Sequence, residues 1–520
     1  DMRLHIAGKG MLGFNSITSE NLTLGTKVST SITKWDEELW IPVETKENNS
    51  IGGESSSTIS TYTVANVDKN YFAYISQKKA TDLDGNMLTT VTNDDTSKGV
   101  ITDQTVKNDG GENMYKKVCY SNYQNIAGVW LPSTLTMSQK HSDDATVFTT
   151  TTTYTYDDKG NVLTSIQNSG TPLAYQTTST YDVYGNILSS VSTGSGIKPI
   201  TKYIDYDPSG LLVVKKYTMP ESAVNTYTYD LWGNVLTESD ETEASNVITK
   251  KYTYDGWERK LTELDADGTL TKYEIGWGNS YDKQYFTQES TDCKPSITVW
   301  YDRKGHEVLR QTIGASNIDI TKTTTYDKKG QVLRVENKTG KLTVSQTLSY
   351  DERGRVLTEV SSSGKSISYT YGNRCVTSQA SGRSYTKTTD AWGNVVKAID
   401  PVGEVEYVYS SAGKPSAVKT NGATVRMVYD AAGNKTSLID PDAGTTLYTY
   451  AADGSLLTQT DGLGIKTTNS YDDFGRLSSA QIGQKTITYT YGNSGYEKMR
   501  LTRLAVDDNS IEYSYDKFGR

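Results

Sequence analysis

The chain is short of the residues from which disulfide frameworks, metal sites and histidine-based catalytic centres are built. Its 520 residues include three cysteines and three histidines, all far apart in the sequence: Cys119, Cys293 and Cys375, and His5, His141 and His306. An odd, scattered set of cysteines argues against a disulfide framework, and no C-x-x-C spacing suggests zinc. We therefore expect no metal, no cofactor and no catalytic histidine cluster.

Apolar residues are also scarce, and they never form a long run. They make up 35% of the chain, against about 45–50% in typical domains when glycine is counted. No stretch approaches the roughly 20 apolar residues that cross a bilayer as a helix. Charged residues are nevertheless only 22% and aromatic residues 10%, which argues against disorder. We expect a folded chain without a membrane span.

The charge balance excludes one class of partner. The net charge is −9, and no long basic run interrupts the sequence. A broad basic face for the phosphate backbone is therefore absent, and we predict no nucleic-acid partner.

What the chain has in abundance is tyrosine, with 38 Tyr against 6 Phe, and one repeated motif. The motif is Tyr-Asp, two variable residues, Gly, a small polar residue and an apolar pair. It reads YDDKGNVL from Tyr156, YDVYGNIL from Tyr181 and YDLWGNVL from Tyr229, and it recurs about every 20 to 25 residues. A fixed period of this kind indicates one supersecondary unit copied many times.

Each copy is interpreted as one β-hairpin. Tyr154 and Tyr156 alternate with Thr153 and Thr155, the period-two pattern of a strand. The Asp can accept a backbone hydrogen bond two residues on and start a type I turn. The Gly three residues later suits the left-handed position of a bulged hairpin loop. The predicted turn residues include Tyr156, Asp157, Gly160, Tyr181, Asp182, Gly185, Tyr229, Asp230, Gly233, Tyr326, Asp327, Gly330, Tyr471, Asp472 and Gly475.

Other patterns offer chemistry that the turn interpretation outweighs. Asp82-x-Asp84-Gly85 and Asp265-x-Asp267-Gly268 resemble the start of a calcium loop but lack its later ligands. Gly364-Lys365-Ser366 lacks the upstream Gly of a phosphate-binding loop. The adjacent acidic pairs at 94–95, 143–144, 157–158, 472–473 and 507–508 are expected to be solvated loop charges. A Ser-His-Asp triad stays open, although no G-x-S-x-G sequence occurs. Because turn residues tolerate substitution, as in Tyr450-Ala451-Ala452-Asp453-Gly454, we expect the motif to be scaffold and the chain not to be an enzyme.

The periodic motif resembles the YD repeats of RHS (rearrangement hotspot) proteins, over about residues 150–520 and more weakly over 60–150. In that family the repeats form one β-ribbon that spirals into a hollow shell around a C-terminal toxin or, in teneurins, into an extracellular barrel. The run Gly8-Lys9-Gly10-Met11-Leu12-Gly13-Phe14 is similar to the segment before the repeats in B components of bacterial insecticidal Tc complexes. The resemblance implies an all-β fold of tandem hairpins in a long spiralling sheet, a hollow shell or barrel.

The organisation expected on this basis has three parts. Residues 1–60 are a pre-repeat segment that could plug or cap an end of the array, residues 61–150 are divergent repeats, and residues 151–520 are the repeat array. The Ser- and Gly-rich stretch from Asn49 to Ser60 is expected to be an exposed loop. Because Gly519 and Arg520 fall inside a motif, the sequence looks like part of a longer chain.

Two functions follow from the resemblance. The first is a structural shell that encapsulates and protects a C-terminal toxin or other polypeptide cargo in a secreted, polymorphic bacterial toxin system linked to virulence, with other toxin-complex subunits as possible partners. The alternative is a secreted or cell-surface adhesin that binds glycan or protein through its outer loops or tyrosine patches. An enzyme such as a glycosidase is the third and weakest interpretation.

Overall fold

The computed structural model describes residues 2–5, 10–67, 70–108, 114–219, 224–243, 246–280, 282–420 and 422–520, and these ranges are almost entirely β-strand. Two short 3₁₀ turns, Ala315–Asn317 and Gly495–Glu497, are the only helical elements in them. Within these ranges no helix has the length and apolar character needed to cross a membrane.

In the first part of the chain three short strands are followed, from the fourth strand onward, by strands of 9 to 14 residues. They are β1 (Met2–His5), β2 (Gly10–Phe14), β3 (Ser16–Asn21), β4 (Thr26–Trp35), β5 (Pro42–Ile51), β6 (Glu54–Val67), β7 (Asn70–Thr81), β8 (Met87–Asp95), β9 (Val100–Asn108), β10 (Tyr115–Ile126), β11 (Val129–Lys140) and β12 (Phe148–Tyr156).

The strands of the middle part are β13 (Val162–Gln167), β14 (Tyr175–Tyr181), β15 (Ile187–Gly194), β16 (Ile200–Tyr206), β17 (Val213–Met219), β18 (Val224–Tyr229), β19 (Val235–Glu243), β20 (Asn246–Tyr254), β21 (Lys260–Leu264), β22 (Leu270–Ser280), β23 (Lys283–Thr291), β24 (Ile297–Tyr301), β25 (Glu307–Ile313), β26 (Asp319–Tyr326), β27 (Val332–Thr339) and β28 (Leu342–Tyr350).

The last part has mostly short strands. They are β29 (Val356–Ser361), β30 (Ser366–Gly372), β31 (Cys375–Ala380), β32 (Arg383–Thr389), β33 (Val395–Ile399), β34 (Glu404–Tyr409), β35 (Pro415–Thr420), β36 (Ala423–Tyr429), β37 (Lys435–Asp440), β38 (Gly444–Tyr450), β39 (Leu456–Thr460), β40 (Lys466–Tyr471), β41 (Leu477–Ile482), β42 (Lys485–Tyr491), β43 (Leu501–Val506) and β44 (Asn509–Glu512).

The strands from β3 to β44 form one antiparallel ribbon, in which each strand pairs with the strand before it and the strand after it. β1 and β2 form a separate two-stranded sheet. No pairing among the described residues joins β3 to β44, so hydrogen bonds do not close the ribbon into a barrel. The predicted all-β fold of tandem hairpins in one long sheet is confirmed.

The start of the chain departs from its sequence-based interpretation. Asn49 to Ser60 is not a loop, because β5 and β6 pair across it and leave only Gly52 and Gly53 as the turn. Its Ser and Thr residues suit a strand that is covered on neither face. Residues 16–60 are thus the first four strands of the ribbon, and a capping role for residues 1–60 stays a prediction. Residues 10–14 form β2, while Gly8 and Lys9 of the Gly-rich run lie outside the described residues.

The ribbon has two edges that differ in sequence. The Tyr-Asp-x-x-Gly turns, from 157–161 to 516–520, lie on one edge, which we call the motif edge. The connections between repeats lie on the opposite edge, which we call the loop edge; it also carries the turns at 52–53, 82–86 and 141–147.

The ribbon is a single layer with little packed core. Its accessible surface is 30761 Å², whereas a compact protein of 57.3 kDa exposes about 18,700 Å². Only seven hydrophobic residues are buried in the described part: Met114, Val299, Leu309, Ala417, Ala451, Ala452 and Ala480. A sandwich of two sheets would bury alternate residues along every strand, so the ribbon is a wall with both faces accessible.

Candidate functional site at the seam between ribbon turns

The motif turn is held by its aspartate. In the copy at residues 157–161, Asp157 Oδ1 accepts hydrogen bonds from the backbone N–H groups of Lys159 (2.9 Å) and Asn161 (2.8 Å), while the Asn161 side chain donates to Oδ2 (2.8 Å). Gly160 has φ +90°, a left-handed conformation that favours glycine. Four further copies share the Asp-capped backbone, centred on Asp182, Asp230, Asp327 and Asp472. The glycines there, Gly185, Gly233, Gly330 and Gly475, all have positive φ.

The motif tyrosine ties each repeat to the one before it. The hydroxyl of Tyr229 donates to the carbonyl of Val213 (2.6 Å), the first residue of the preceding return strand. The same bond, at 2.6–3.1 Å, recurs in thirteen repeats, from Tyr156 to Tyr515. Burial raises the pKa of several of these hydroxyls, such as Tyr429. The hydroxyls whose pKa is raised stay protonated and can act as donors.

The ribbon returns on itself, so that the motif edge of one turn rests on the loop edge of the turn before. Hydrogen bonds join residues that are 249 to 299 positions apart in the sequence. The number of strands in one turn of the ribbon can be counted between two residues that meet. Asp84 and Arg353 are separated by 21 strands, β8–β28, and Lys198 and Asp473 by 25 strands, β16–β40. We call this line of contact the seam.

The seam begins at Arg353, whose side chain is only 11% exposed. Its guanidinium pairs with Glu54 and with Asp84 Oδ1 (2.7 Å), and donates to the carbonyl of Leu83 (3.1 Å). The hydrogen bonds to the two carboxylates raise the pKa of Arg353 above its ordinary value. Nearby, Asn86 donates to Asn373 Oδ1 (3.0 Å). The acidic hairpin loop at 82–86 thus binds an arginine that belongs to the next turn of the ribbon.

The centre of the seam is a buried polar cluster. The Nε2–H of His141 donates to Asp390 Oδ2 (3.0 Å), and the backbone N–H of His141 donates to Ser411 Oγ (3.0 Å). The Ser411 N–H donates in turn to Asp144 Oδ2 (2.6 Å), and its hydroxyl to the Thr146 carbonyl (2.7 Å). Burial on its own would raise the pKa values of Asp144 and Asp390, but these hydrogen bonds outweigh it and lower both.

This cluster contains Ser, His and Asp but not the geometry of a catalytic triad. The hydroxyl of Ser411 contacts the backbone of His141 rather than its ring. The ring is occupied on both sides, because Nε2 faces Asp390 and Nδ1 accepts from the N–H of Asp143 (3.4 Å). Ser411 is 0% exposed. No ring nitrogen is placed to take the hydroxyl proton, so the cluster is a structural fastening.

A third part of the seam is held by close backbone approach. The N–H of Ala452 donates to the carbonyl of Ser195 (2.8 Å). A Cβ on Gly194 would lie 2.6 Å from the Cβ of Ala452, and one on Gly196 would lie 3.0 Å from that of Ala451. Larger side chains would hold the two edges apart. The motif at 450–454 has therefore lost its Asp where small residues are needed.

Two surface ion pairs extend the seam toward the carboxyl end. Lys198 pairs with Asp473 (2.5 Å) and Arg520 with Asp267 (3.1 Å), and all four side chains are partly exposed. The expectation that the acidic pairs are solvated loop charges is therefore wrong for Asp144, which is half-buried and accepts the N–H of Ser411. Asp473 is a solvated loop charge that also contacts the neighbouring turn of the ribbon. Asp84 and Asp267, which were considered as calcium ligands, instead form ion pairs with Arg353 and Arg520. Among the described residues no cluster of three His, Cys, Asp or Glu side chains is arranged to hold a metal.

The spacing of the seam sets the size of the enclosed space. Adjacent strands are about 4.8 Å apart, so one turn of about 23 strands has a perimeter of about 110 Å and, for a round section, a diameter of about 35 Å. Facing side-chain layers take up about 10 Å of that width. A channel about 25 Å wide remains, which is wide enough for a polypeptide with secondary structure.

Comparison with known proteins agrees with this geometry. The Teneurin YD-shell family matches residues 271–412. The crystal structure of TcdB2-TccC3-Cdc42 is similar with a TM-score of 0.60, 10% identity and coverage of 97% of this chain and 41% of that one. The crystal structure of TcdB2-TccC3 is similar with a TM-score of 0.53 and 11% identity, and the match covers 95% of this chain and 39% of that one. No curated protein matches the sequence.

The chain spans about two fifths of the length of these solved chains. At such low identity the likeness establishes the fold alone. Together with the family match, this fold supports the predicted RHS/YD-repeat class and a shell-type structural role.

Proposed function

We propose that this RHS/YD-repeat chain is a wall of a hollow β-shell that encloses and protects a polypeptide cargo, such as a C-terminal toxin domain, in a secreted bacterial toxin system. The observation that carries the proposal is the seam. A single-layer ribbon that merely curved would leave gaps between its turns, whereas His141, Ser411 and Ala452 bring the two edges into direct contact. A wall without gaps excludes proteases from what it surrounds.

The chemistry of the wall suits storage better than catalysis. Its strands alternate Tyr with Thr and Ser, so both faces offer hydroxyl groups beside aromatic rings. Such a surface stays hydrated and presents little continuous apolar area for a cargo to fold against. The polar cluster at His141 is closed to solvent, which favours a non-enzymatic wall. Other subunits of a toxin complex are the proposed partners, since the similar structures are complexes of TcdB2 with TccC3.

The proposal is tested by opening the seam with one side chain. Ala452 is 8% exposed and faces Gly194 across the seam, so Ala452→Leu should overpack it by about 1–3 kcal/mol. Val183, 74% exposed, holds the equivalent motif position on a part of the motif edge that contacts no other turn of the ribbon among the described residues. Val183→Leu is therefore the matched control. The natural full-length protein and both variants are digested with a non-specific protease, and surviving peptides are identified by mass spectrometry.

We expect polypeptide other than the ribbon to survive in the natural protein and in Val183→Leu, and to be cleaved about tenfold or more faster in Ala452→Leu, a factor that corresponds to about 1.4 kcal/mol. Equal cleavage of that polypeptide in all three proteins, with the ribbon intact, would contradict encapsulation.

A further inference from the structure

Two pairs of tyrosine rings are stacked across neighbouring strands of the sheet. Tyr203 of β16 lies directly opposite Tyr217 of β17, with ring centroids 4.9 Å apart and ring planes 12° from parallel. Tyr285 of β23 lies opposite Tyr301 of β24 in the same way, at 4.8 Å and 12°. Within the described ranges these are the only two stacked tyrosine pairs. All four strands are paired on both sides, so neither arrangement depends on an edge of the ribbon.

The hydroxyl bond between repeats does not account for these four residues. Tyr203, Tyr217 and Tyr285 lie outside the motif. Tyr301 is a motif tyrosine, but it is not among the thirteen that donate to the preceding repeat, unlike Tyr326 in the next repeat. Stacking holds the four rings in place, and phenylalanine would stack equally well. The phenol group therefore adds a chemistry that the fold itself does not require.

Paired phenols can form a covalent bond when they are oxidised. A phenol that gives up one electron and one proton becomes a tyrosyl radical, and two such radicals in contact join through their rings as dityrosine. Rings whose centroids are 4.8 or 4.9 Å apart are already in contact, so coupling needs no diffusional encounter. All four rings are half-buried on a wall that is a single layer in the described part of the chain. A small oxidant therefore reaches them, and the rings have room to tilt toward each other.

Disulfides do not provide covalent bonds between the strands of this chain. Cys119, Cys293 and Cys375 are all free, whereas proteins in oxidising surroundings commonly rely on disulfides where the core is small. Only seven hydrophobic residues of the described part are buried. A covalent link between β16 and β17, or between β23 and β24, would restrict the unfolded chain and so add stability that does not come from a core.

We propose that the stacked pairs Tyr203–Tyr217 and Tyr285–Tyr301 are modification sites, at which a peroxide oxidant cross-links neighbouring strands as dityrosine. In each pair the two phenols give up two electrons and two protons, and hydrogen peroxide accepts them and becomes two molecules of water. The radicals join by a bond between one ring carbon ortho to each hydroxyl. The hydrogens on those two carbons then move to the oxygens, which restores both phenols. The product has two hydrogen atoms fewer than the pair, and its formation does not depend on whether the shell encloses a cargo.

The test oxidises a dilute solution of the 520-residue chain with hydrogen peroxide and a small haem peptide as catalyst. The monomer is isolated by size-exclusion chromatography and digested with a protease, and mass spectrometry identifies linked peptides that have lost two hydrogen atoms. Tyr203→Phe and Tyr301→Phe each keep a stacked ring and remove one phenol. Tyr184→Phe is the matched control, because that ring is 68% exposed and belongs to neither pair. Far-ultraviolet circular dichroism before oxidation confirms that each variant is folded.

We expect both cross-links in the natural chain, each in a yield about tenfold or more above that of any other pair of tyrosines in the monomer, because proximity favours coupling within a stacked pair. Tyr203→Phe should lose the link to Tyr217 and keep the other link, and Tyr301→Phe should show the reverse. Tyr184→Phe should keep both links. A natural chain in which either link is missing, or in which the yields follow the exposure of the tyrosines rather than their pairing, would overturn the proposal.

Discussion

At the scale of single residues, the chain uses tyrosine where phenylalanine would pack equally well. The reason is the hydroxyl, which in thirteen repeats donates to a backbone carbonyl of the preceding repeat. In a single layer with few buried apolar side chains, such bonds supply the contacts between neighbouring hairpins that a core would otherwise provide. This requirement accounts for thirteen of the 38 tyrosines of the sequence.

Replacing one such tyrosine tests its role. Tyr429 donates to the carbonyl of Pro415 (2.7 Å), so Tyr429→Phe keeps the ring and removes one hydrogen bond. We expect the free energy of unfolding to fall by about 1 kcal/mol, measured by urea denaturation. Tyr184→Phe is the control, because that ring is 68% exposed on the motif edge, and its replacement should change the free energy of unfolding by only a few tenths of a kcal/mol. Equal effects of the two substitutions would exclude a specific role for the hydroxyl bond.

At the scale of the element, the hairpin turn is stabilised by an ionised aspartate. Hydrogen bonds from the hydroxyl of Ser209 and from backbone N–H groups, chiefly that of Leu212, lower the pKa of Asp207 to about 2. The pKa values of Asp157 and Asp230 are lowered in the same way, by side-chain bonds from Asn161 and Asn234 first. A group whose pKa is depressed in the folded state contributes stability above its unfolded pKa, about 3.9. That contribution is lost as pH falls through the folded pKa.

The stability of the ribbon should therefore decline in acid. We expect the urea midpoint to fall as the pH is lowered from about 5 to about 2, the range set by the unfolded value and by that of Asp207. Asp207→Asn should lower the midpoint at neutral pH and flatten the decline between pH 4 and 2, since one titrating turn is removed. A midpoint that stays constant or rises in this range would show that the turn carboxylates do not stabilise the fold as anions.

The hairpins could be predicted from the sequence, because turn chemistry is local. Tyr156, Asp157 and Gly160 are sufficient to predict one hairpin. The motif includes a polar residue after the Gly, but the sequence does not predict its role: Asn, Arg or His there binds the second oxygen of the Asp, as in Asn161. The sequence of Asn49 to Ser60 favours a loop because a strand covered on neither face lacks the apolar alternation by which strands are recognised.

The seam could not be predicted because its partners are 249 to 299 residues apart. That separation depends on the number of strands in one turn of the ribbon, which no local sequence pattern encodes. The seam leaves one signal in the sequence: the motif copies at 409–413 and 450–454 are degenerate where Ser411 and Ala452 contact the neighbouring turn of the ribbon. His141 and Asp390 gave no such signal, since a lone His and a motif Asp have ordinary local roles.

At the scale of the whole molecule, the account rests on closure of the wall by stacked edges rather than by strand pairing. The turns are joined by a buried cluster at His141, an arginine between two carboxylates and a close backbone contact at Ala452. These contacts join the loop edge between Glu54 and Asp267 to the motif edge between Arg353 and Arg520, so the ribbon of 42 strands is held as a spiral around a channel.

Electron cryomicroscopy of the 520-residue chain, with class averages viewed down the spiral axis, tests this closure most directly. The account predicts a ring of single-sheet thickness, about 35 Å between opposing backbones for about 23 strands per turn, around a low-density centre. A solid rod, or an open ribbon whose turns are not in contact, would contradict it.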